Sequence, residues 1–485
     1  APTLGGGGKP APIVSPFDIS LKVGTVAEAS VSDVDDAIRA ASAAQHAWDA
    51  LGGEARANLL DGAADLFEQR REDLFSLCIR EAGKTLPDAV LEVREAVDFL
   101  RYYASEARRL FTAPTPLPGP TGEINELRLH GRGVFVCISP WNFPLAIFIG
   151  PVAAALAAGN AAIAKPAEQT PLIGALAIEL MHLAGIPRDV VQIIPGDGKV
   201  GAALTAHPLI AGVAFTGSTG TAKAINRNLA DRDGAILPLI AETGGQNVMI
   251  VDSSALPEQV TRDVIASSFQ SAGQRCSALR VLFVQDDVAE GMLAMIAGAM
   301  EALTIGNPTE LATDVGPVID AQAKAALDDH LADLADKGKF LARLPLPSNH
   351  GHFVTPVMVE IASLADLDAE HFGPILHVVR WKSGELDQVV AAINATGYGL
   401  TLGLQSRIDT TRLFVEANAR VGNLYVNRNQ IGAVVESQPF GGEGLSGTGP
   451  KAGGPHYVAR FATERVTCID TTAAGGNASL MAAID

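Results

Sequence analysis

The sequence has few cysteines and few basic side chains. Four cysteines occur in 485 residues, at Cys78, Cys137, Cys276 and Cys468, and they lack the CxxC spacing or neighbouring histidines of a metal site. We therefore expect no bound metal and a reducing compartment, the cytoplasm. The 54 acidic and 36 basic side chains give a formal charge of −18. This charge argues against nucleic acid or an anionic membrane surface as the partner and favours small solutes or other proteins.

A membrane span is also not expected. The stretch between Arg132 and Lys165 has no charged residue and is long enough to cross a bilayer. Prolines and glycines interrupt it, however, and its middle, PVAAALAAGNAAIA, is rich in alanine rather than leucine. We predict a buried strand (GVFVCIS), a loop (PWNFP), a buried helix and a second strand (AAIAKP). No basic patch followed by an apolar run marks the amino end, so we expect no signal peptide.

A chain of 485 residues is too long for one ordinary core, so we expect two substantial domains. Hydrophobic residues make up 48% and charged residues 19% of it, which excludes a disordered chain and favours α/β layers. Apolar residues at helical spacing predict a helical front end, and from Gly131 onward short β-branched runs alternate with helical ones. That alternation is typical of a parallel sheet with crossover helices, which binds ligands at the carboxyl ends of its strands.

Further segments complete this organisation. The Gly- and Pro-rich start, APTLGGGGKPAPIVSP, predicts a linker or flexible arm. The stretch FTAPTPLPGPTGEINELRLHGRG predicts a protruding strand pair, and a second α/β region begins near NVMIVDSS. The expected boundaries are 1–30 for the arm, 31–110 with 132–243 for the first domain, 244–440 for the second, 441–460 for a return segment, and 111–131 with 461–485 for a flap.

A glycine motif in VVQIIPGDGKVGAALTAH has an ambiguous meaning. It contains G-x-G-x-x-G at Gly196, Gly198 and Gly201, after a predicted strand and before a predicted helix. The dinucleotide fingerprint has this setting, but it also needs an acidic residue about twenty positions further on to hold a ribose. No Asp or Glu lies between Gly198 and Ala230. We therefore do not assign the usual dinucleotide fingerprint to this motif, which indicates at most the amino end of a helix near a nucleotide.

Cys276 lies in the polar run QSAGQRCSALR. A cysteine by itself is more often a small buried hydrophobe than a nucleophile. This setting suits a reactive thiol better than a core: Gly273 permits close backbone approach, and Arg275 would favour the thiolate if its side chain points inward. Cys78 and Cys137 lie in apolar periodic runs and are predicted to be structural.

Three other polar residues stand at stiffened turns. PWNFP holds Asn142 between two prolines after a predicted strand, where its amide would serve as a hydrogen-bond donor. AETGGQN places Glu242 between an apolar strand and two glycines, and AEHFGPIL places Glu370 close to Phe372 and a Gly-Pro pair. Taken singly, each can be structural, and a solvated turn carboxylate is the simpler interpretation of Glu242.

Together, the motifs PWNFP, AKPAEQTP, FTGS, ETGGQN, GQRCS, EHFGPIL and QPFGG resemble the aldehyde dehydrogenase superfamily over nearly the whole chain. The resemblance implies an α/β fold with a Rossmann-type NAD-binding domain, an α/β catalytic domain and a small β flap for oligomerisation. It also implies an NAD-dependent enzyme that forms a homodimer or a larger homo-oligomer.

The resemblance assigns the chemistry to three residues. Cys276 would attack the aldehyde carbon as a thiolate, and the Asn142 amide with the Cys276 backbone N–H would hold the resulting oxyanion. After hydride transfer, Glu242 would activate the water that hydrolyses the thioester. A CoA-acylating enzyme would not need that hydrolytic Glu242.

NAD would be held by family-type residues in the same motifs. Lys165 would bind a ribose, and the Glu168 carboxylate would accept from the free 2′-hydroxyl but repel a 2′-phosphate, which favours NAD over NADP. Ser218, with Gly217, would place the pyrophosphate. Glu370 and Phe372 are assigned to the nicotinamide side.

A closer resemblance is to the L-glutamate γ-semialdehyde (Δ1-pyrroline-5-carboxylate) dehydrogenases, which act second in proline catabolism, and to the dehydrogenase half of bifunctional proline utilization A proteins. It rests on GEINELRLHGRGVFVCISPWNFP, NQIGAVVESQPFGGEGLSGTGPKAGGP and TTAAGGNASL. It implies a substrate site in which Ser277, Gly432 and Ala433 anchor the α-carboxylate, Phe143 and Phe440 line the aliphatic stem, and Glu95 contacts the α-ammonium.

Alternatives to this assignment stay open. One is a dehydrogenase for another carboxylated aldehyde, such as succinate semialdehyde, and another is a non-catalytic scaffold with the same fold. The chain has no room for the proline dehydrogenase barrel of the bifunctional proteins, so we expect either an excised domain or a stand-alone enzyme that needs no flavin. A proline dehydrogenase is then an expected domain or partner.

Overall fold

The computed structural model describes residues 3–4, 6–347 and 350–471. The terminal stretch TTAAGGNASL, one of the three carriers of the closer resemblance, lies outside the described residues except for Thr471. Within the described part of the chain, no helix is long and apolar enough to cross a membrane.

The predicted helical front end is confirmed. Its helices are Val31–Ala50, Gly52–Gln69, Arg71–Ala82 and Leu86–Phe111. The first begins at a capping box, in which the Ser30 side chain accepts from the Asp33 N–H and the Asp33 carboxylate accepts from the Ser30 N–H. The third ends at Gly83, which has a left-handed conformation with φ 68°. The long fourth helix buries one face against the core and carries Asp88, Glu92 and Glu95.

A five-stranded parallel sheet follows this helical layer. Its strands, in spatial order, are Leu239–Thr243, Ile210–Gly217, Val134–Ile138, Ala161–Lys165 and Val191–Ile193. The connecting helices are Ala146–Ala157, Pro171–Leu183, Gly198–Ala206 and Thr219–Ala230. The chain starts in the middle strand and winds first to one edge and then to the other, which is the doubly wound Rossmann order. The charge-free stretch forms the strand, loop, helix and strand that the sequence predicts.

The second α/β unit is a seven-stranded sheet. Its strands, in spatial order, are Lys339–Arg343, Val357–Glu360, Ile375–Trp381, Val281–Gln285, Val248–Val251, Thr401–Gln405 and Asn423–Val426. All neighbours are parallel except the edge strand Lys339–Arg343. Around it lie helices Pro257–Phe269, Asp286–Glu301, Ala321–Lys337, Leu386–Ala395 and Asp409–Asn418, with 3₁₀ turns at Gln270–Gly273 and Leu364–Asp366.

The amino-terminal segment corrects one expectation. Residues Pro10–Ser15 and Asp18–Ala27 form an antiparallel pair, and Thr3–Leu4 adds a short parallel strand. Ile13, Val23 and Val26 are buried against Leu172. The interpretation as a linker or flexible arm is therefore wrong for residues 10–27, because the strands pair with each other and their buried apolar side chains pack against the first domain.

The predicted strand pair near residue 115 is present and is extended by the carboxyl-terminal strand. Thr115–Leu117, Glu123–Gly131 and Ala462–Asp470 form an antiparallel three-stranded sheet. Before its last strand, the return segment contains the short helix Tyr457–Arg460 and the strand Glu443–Gly444, which pairs with Tyr398–Gly399. The predicted fold class, an aldehyde dehydrogenase-like α/β architecture, is confirmed by this layout and by the similar solved structures described below.

Candidate active site

Two adjoining cavities lie at the carboxyl edge of the five-stranded sheet. Ile138, Lys165, Gly217 and Thr243 are the last residues of four of its strands and line these cavities. The first cavity has a volume of about 370 Å³ and the second about 450 Å³. Both are lined by Pro140, Trp141, Thr216, Gly217 and Ser218. They meet at the sheet edge where doubly wound folds bind ligands.

Every predicted site residue lines one of these cavities. The first is lined by Cys276, Glu242, Asn142, Glu370, Phe372, Ser277, Gly432, Ala433, Phe143, Phe440 and Glu95. Lys165 and Glu168 line the second, and Gly217 and Ser218 line both. Gly198 and Gly201 of the ambiguous glycine motif also line the second cavity, so that motif does lie near the sheet edge.

The turn before Cys276 has an unusual backbone. Ser271, Ala272 and Gly273 are consecutive left-handed residues with φ of 56°, 53° and 66°. A Cβ on Gly273 would lie 2.2 Å from the Gly373 carbonyl oxygen, so only glycine fits there. Left-handed backbone is unfavourable for Ser271 and Ala272, and it persists only when the surroundings hold it.

Asp88, on the helix Leu86–Phe111, stabilises this left-handed backbone. Its carboxylate accepts hydrogen bonds from Gln270 Nε2 at 2.7 Å, Ser271 Oγ at 2.8 Å and an Arg275 guanidinium nitrogen at 2.7 Å. Burial raises the pKa of Asp88, but Arg275, Lys84 and these hydrogen bonds outweigh it and hold the pKa below its usual value. The Arg275 guanidinium points to this carboxylate, so the condition for Arg275 to favour the Cys276 thiolate is not met.

The Cys276 thiol is partly exposed to the first cavity and has a raised pKa. Burial raises the pKa to about 12, and the nearby carboxylates of Glu370, Glu242 and Glu95 add to the shift. The Ser277 backbone N–H, which donates to the sulfur, opposes it weakly. Burial and these carboxylates therefore favour the neutral thiol over the thiolate.

Two asparagines fix the backbone around the thiol. Asn142 Nδ2 donates to the Gln274 carbonyl at 3.2 Å, and Asn247 Nδ2 donates to the Cys276 carbonyl at 2.6 Å. An amide nitrogen carries two protons, so Asn142 retains a second donor. Among the described residues, the Cys276 backbone N–H donates to no protein acceptor.

Glu242 stands near the end of strand Leu239–Thr243, beside the return segment. Thr243 N–H donates to the Ser446 carbonyl, and Thr448 N–H donates to the Ala241 carbonyl, each at 2.9 Å. The Glu242 Oε2 atom accepts from Gly442 N–H at 3.1 Å, whereas its buried Oε1 has no partner in the described structure. Burial raises the pKa of Glu242 to about 8, although the Gly442 N–H and Lys451 lower it.

Glu370 is held across the ETGG turn by Arg280. The carboxylate accepts from the Arg280 guanidinium at 3.2 Å, and this fully buried side chain also donates to the carbonyls of Gly273, Arg275 and Gly373. One arginine thus joins the nucleophile turn to the EHFGPIL loop. Burial raises the pKa of Glu370, and Arg280 opposes the shift.

The second cavity presents groups of both charges. The Lys165 ammonium is buried and donates to the Pro166 carbonyl at 3.0 Å, and burial lowers its pKa while Glu168 opposes that change. Glu168 itself is exposed. Ser218 caps helix Thr219–Ala230, so the free N–H groups of that helix start face the shared wall of the cavities.

The remaining predicted residues lie around the nucleophile. The Gln430 side-chain amide donates to the Ser277 carbonyl at 3.3 Å and so connects it to the loop of Gly432 and Ala433. The Phe143 ring lies under the Lys84 ammonium, 4.4 Å from its centre. Burial, reinforced by Glu92, raises the pKa of Glu95 to about 8.

Sequence reasoning missed the residues that support this site. Asp88, Asn247 and Arg280 act on backbone groups or on residues remote in sequence, and no motif identifies them.

The fold and this site define a two-domain α/β protein in which a cysteine faces the ligand-binding edge of a doubly wound sheet. The chain belongs to the aldehyde dehydrogenase family, whose sequence model matches residues 5–467. The resemblance carried by its motifs is thereby confirmed.

Curated proteins of two kinds are among the relatives that this chain matches. The bifunctional protein PutA of Klebsiella aerogenes is 51% identical over 469 residues, which are 94% of this chain and 35% of that protein. The chain thus spans about a third of the length of the PutA relatives. The 1-pyrroline-5-carboxylate dehydrogenase of Bacillus cytotoxicus is 34% identical over 467 residues, which are 94% of this chain and 89% of that protein.

Solved structures agree with these relatives. A crystal structure of a bifunctional proline utilization A protein matches with a TM-score of 0.91 and 57% identity, covering 93% of this chain and 46% of that one. The 1-pyrroline-5-carboxylate dehydrogenase from Thermus with bound NAD matches with a TM-score of 0.92 and 33% identity, covering 95% of this chain and 90% of that one.

The raised pKa of Cys276 predicts slow alkylation in the cofactor-free protein. Only the thiolate reacts with iodoacetamide, so the rate at Cys276 should rise with pH throughout the accessible alkaline range. Peptide mass spectrometry can compare it with the exposed Cys468 in the same sample. Cys276 should react more slowly than Cys468 at neutral pH, with the difference narrowing as pH rises. Fast labelling of Cys276 that levels off below about pH 9 would contradict the raised pKa of Cys276.

Proposed function

We propose that this protein oxidises L-glutamate γ-semialdehyde, the open form of 1-pyrroline-5-carboxylate, to L-glutamate with NAD as the oxidant. The observation that carries the proposal is the convergence of Cys276, Asn142 and Glu242 on one cavity that the loop of Gly432 and Ala433 also lines. The 1-pyrroline-5-carboxylate dehydrogenase of Bacillus cytotoxicus, matched over most of its length, supports this substrate.

The reaction begins at Cys276. Its thiol loses its proton to solvent water, and the thiolate sulfur bonds to the aldehyde carbon while the carbonyl electrons move to oxygen. The free proton of the Asn142 amide and the unpartnered Cys276 N–H stabilise that oxyanion. NAD, bound in the adjoining cavity, supplies the acceptor for the hydride that leaves the same carbon.

Glu242 completes the turnover. Its carboxylate accepts a proton from a water molecule, the water oxygen bonds to the thioester carbon, and the carbon–sulfur bond breaks to release the carboxylic acid and the Cys276 thiolate, while the proton stays on Glu242 until solvent removes it. The unpartnered Oε1 atom is the acceptor for that proton. Because the base form is needed and burial raises the pKa to about 8, acyl release accelerates as pH rises through that region.

The second cavity fits NAD. Helix Thr219–Ala230 begins beside this cavity and is capped by Ser218, and its free N–H groups can bind a pyrophosphate. The Lys165 ammonium can donate to a ribose hydroxyl. The exposed Glu168 carboxylate accepts from a 2′-hydroxyl but repels a 2′-phosphate. On the nicotinamide side, Glu370 and Phe372 line the first cavity. This set favours NAD over NADP.

The loop after Gln430 is suited to the substrate's α-carboxylate. Gly432 has a left-handed φ of 71°, and within the described residues the N–H groups of Gly432 and Ala433 donate to no protein acceptor. Two free N–H groups next to the Ser277 side chain form a site for a carboxylate. Glu95 lines the same cavity and supplies a carboxyl oxygen as hydrogen-bond acceptor for the α-ammonium, which succinate semialdehyde lacks, while Phe143 and Phe440 face the stem.

An assay of NADH formation tests the function. The purified protein should reduce NAD with glutamate semialdehyde, with a higher kcat/KM than with succinate semialdehyde. Cys276→Ala should abolish turnover while leaving NAD binding and the thermal unfolding temperature nearly unchanged, because it removes only the nucleophile. No NADH from the wild-type protein, or substantial turnover by Cys276→Ala, would refute the proposal.

Replacing Ala433 by Leu tests the carboxylate anchor. The larger side chain should block the anion's approach and raise KM, lowering kcat/KM for glutamate semialdehyde by about 30-fold, which corresponds to about 2 kcal/mol. Propanal, which has no carboxylate, should be much less affected. Val434→Leu, at the exposed neighbouring position, is the matched control. Equal losses for both aldehydes would assign the loop a general structural role.

We also propose a homo-oligomer built through the three-stranded flap. Ile124, Val466 and Ile469 on this sheet are 49%, 56% and 49% exposed, and exposed apolar side chains grouped on one sheet are typical of a protein–protein contact. Light scattering should give at least twice the 50.3 kDa chain mass at micromolar concentration, and Val466→Glu should lower it. A single 50 kDa species for the wild type would contradict this assembly.

The proposed context is proline breakdown. The PutA relatives are bifunctional proteins of proline utilization by name, so a proline dehydrogenase, fused or separate, is the proposed source of the substrate. All four cysteines are free in the described structure, which fits a reducing cytoplasm.

A further inference from the structure

One peptide unit lies between Lys451 and Glu242. The Lys451 ammonium donates to the carbonyl oxygen of Gly441 at 2.6 Å, and the N–H of Gly442, in the same peptide group, donates to Glu242 Oε2 at 3.1 Å. A cation, an amide and a carboxylate are thus connected in series. Hydrogen bonds connected in this way polarise one another, so an ammonium on the oxygen makes the N–H a stronger donor.

Lys451 has no direct carboxylate partner. Its three protons are matched by three acceptors, the Gly441 and Gly422 carbonyls, each at 2.6 Å, and Asn423 Oδ1 at 3.1 Å. Among the described residues, no Asp or Glu oxygen lies within salt-bridge distance of it. Burial lowers the pKa of this lysine, and Glu242 and Glu443 oppose that change. The positive charge is therefore held behind the peptide that contacts Glu242.

The same contacts hold the Glu242 side chain in place. A Cβ on Gly441 would lie 2.6 Å from Glu242 Oε1, and a Cβ on Gly447 would lie 2.9 Å from Oε2. The carboxylate therefore packs directly on glycine backbone. Since Lys451 binds both the Gly441 and the Gly422 carbonyls, it fixes the position of that backbone relative to the second domain.

We propose that Lys451 is a positioning residue for Glu242, which holds the Gly441–Gly442 peptide against the carboxylate and favours its anionic, base form through that peptide. This inference rests on the proposed role of Glu242 in acyl release. Other titratable groups that act on this pair are Cys276 and Tyr457, which interact with Glu242, and Glu443, which interacts with Lys451. None of these is a cation, so Lys451 is the one of these titratable groups that favours the anion, and it acts together with the Gly442 N–H.

Lys451→Met tests the proposal through the pH dependence of acyl release. Without the ammonium, the acidic limb of the kcat profile should move to higher pH by on the order of one unit. At neutral pH the rate of acyl release should then fall about tenfold, while the first NADH forms at a nearly unchanged rate and appears as a burst. Lys451→Gln, which keeps a neutral donor for the carbonyls, should show the same shift, and Lys451→Arg should restore most of the wild-type profile.

Asn423→Ala is the matched control for loop packing. It removes the hydrogen bonds to Pro439 and Gly441 and one of the three acceptors of Lys451, but the ammonium keeps its hydrogen bonds to the Gly441 and Gly422 carbonyls. The rate of acyl release can fall in Asn423→Ala, but the acidic limb of its kcat profile should not move. The proposal would be overturned if the acidic limb of the kcat profile stayed unchanged in Lys451→Met and Lys451→Gln. It would also be overturned if that limb moved equally in Asn423→Ala.

Glu242→Gln tests the role of Glu242 in acyl release independently of the role of Lys451. If the wild type forms NADH and Glu242→Gln shows a burst followed by slow release, the role of Glu242 stands. An unmoved limb in the Lys451 variants would then refute only the role of Lys451. Absence of a burst in Glu242→Gln, with both phases lost equally, would instead refute the role of Glu242.

Discussion

The buried carboxylate of Asp88 is the contact on which the geometry of the nucleophile depends. The left-handed Ser271 and Ala272 each cost about 1–2 kcal/mol relative to ordinary backbone, and an unsupported turn would relax. Asp88 offsets this cost with hydrogen bonds from Gln270, Ser271 and Arg275. It belongs to the front helix, whereas the turn belongs to the second α/β unit. The relative position of these two parts therefore determines where the thiol points.

Electrostatics in the first cavity follow from the same packing. Glu95, Glu242 and Glu370 all have a pKa raised by burial, and each disfavours the Cys276 thiolate. The cations that enter this region contact other groups: Arg275 pairs with Asp88, Arg280 with Glu370, and Lys451 with backbone carbonyls. These cations therefore do not offset the effect of the three carboxyl groups on the pKa of Cys276.

Much of the architecture could be predicted because it depends on local patterns. The alternation of β-branched and helical runs after Gly131 predicted the parallel sheet with crossover helices. The motifs at strand ends predicted site residues, and these residues line the cavities. The supporting contacts could not be predicted, since Asp88 and Arg275 are 187 positions apart. The amino-terminal strand pair was missed because glycine and proline content outweighed the alternation in Asp18–Ala27. Local sequence therefore predicts elements and their ends, but not the charged side chains that secure one element to another.

Two glycines of the site motifs are required for the same reason: each packs against a carboxylate from another segment of the chain. In ETGG, a Cβ on Gly244 would lie 1.7 Å from Glu370 Oε2, and in QPFGG a Cβ on Gly441 would lie 2.6 Å from Glu242 Oε1. Neither glycine has a left-handed φ, so conformational freedom is not what either position requires. Each removes a side chain where a remote carboxylate must touch backbone. A motif that looks local in the sequence is thus a volume constraint imposed by a residue of another segment.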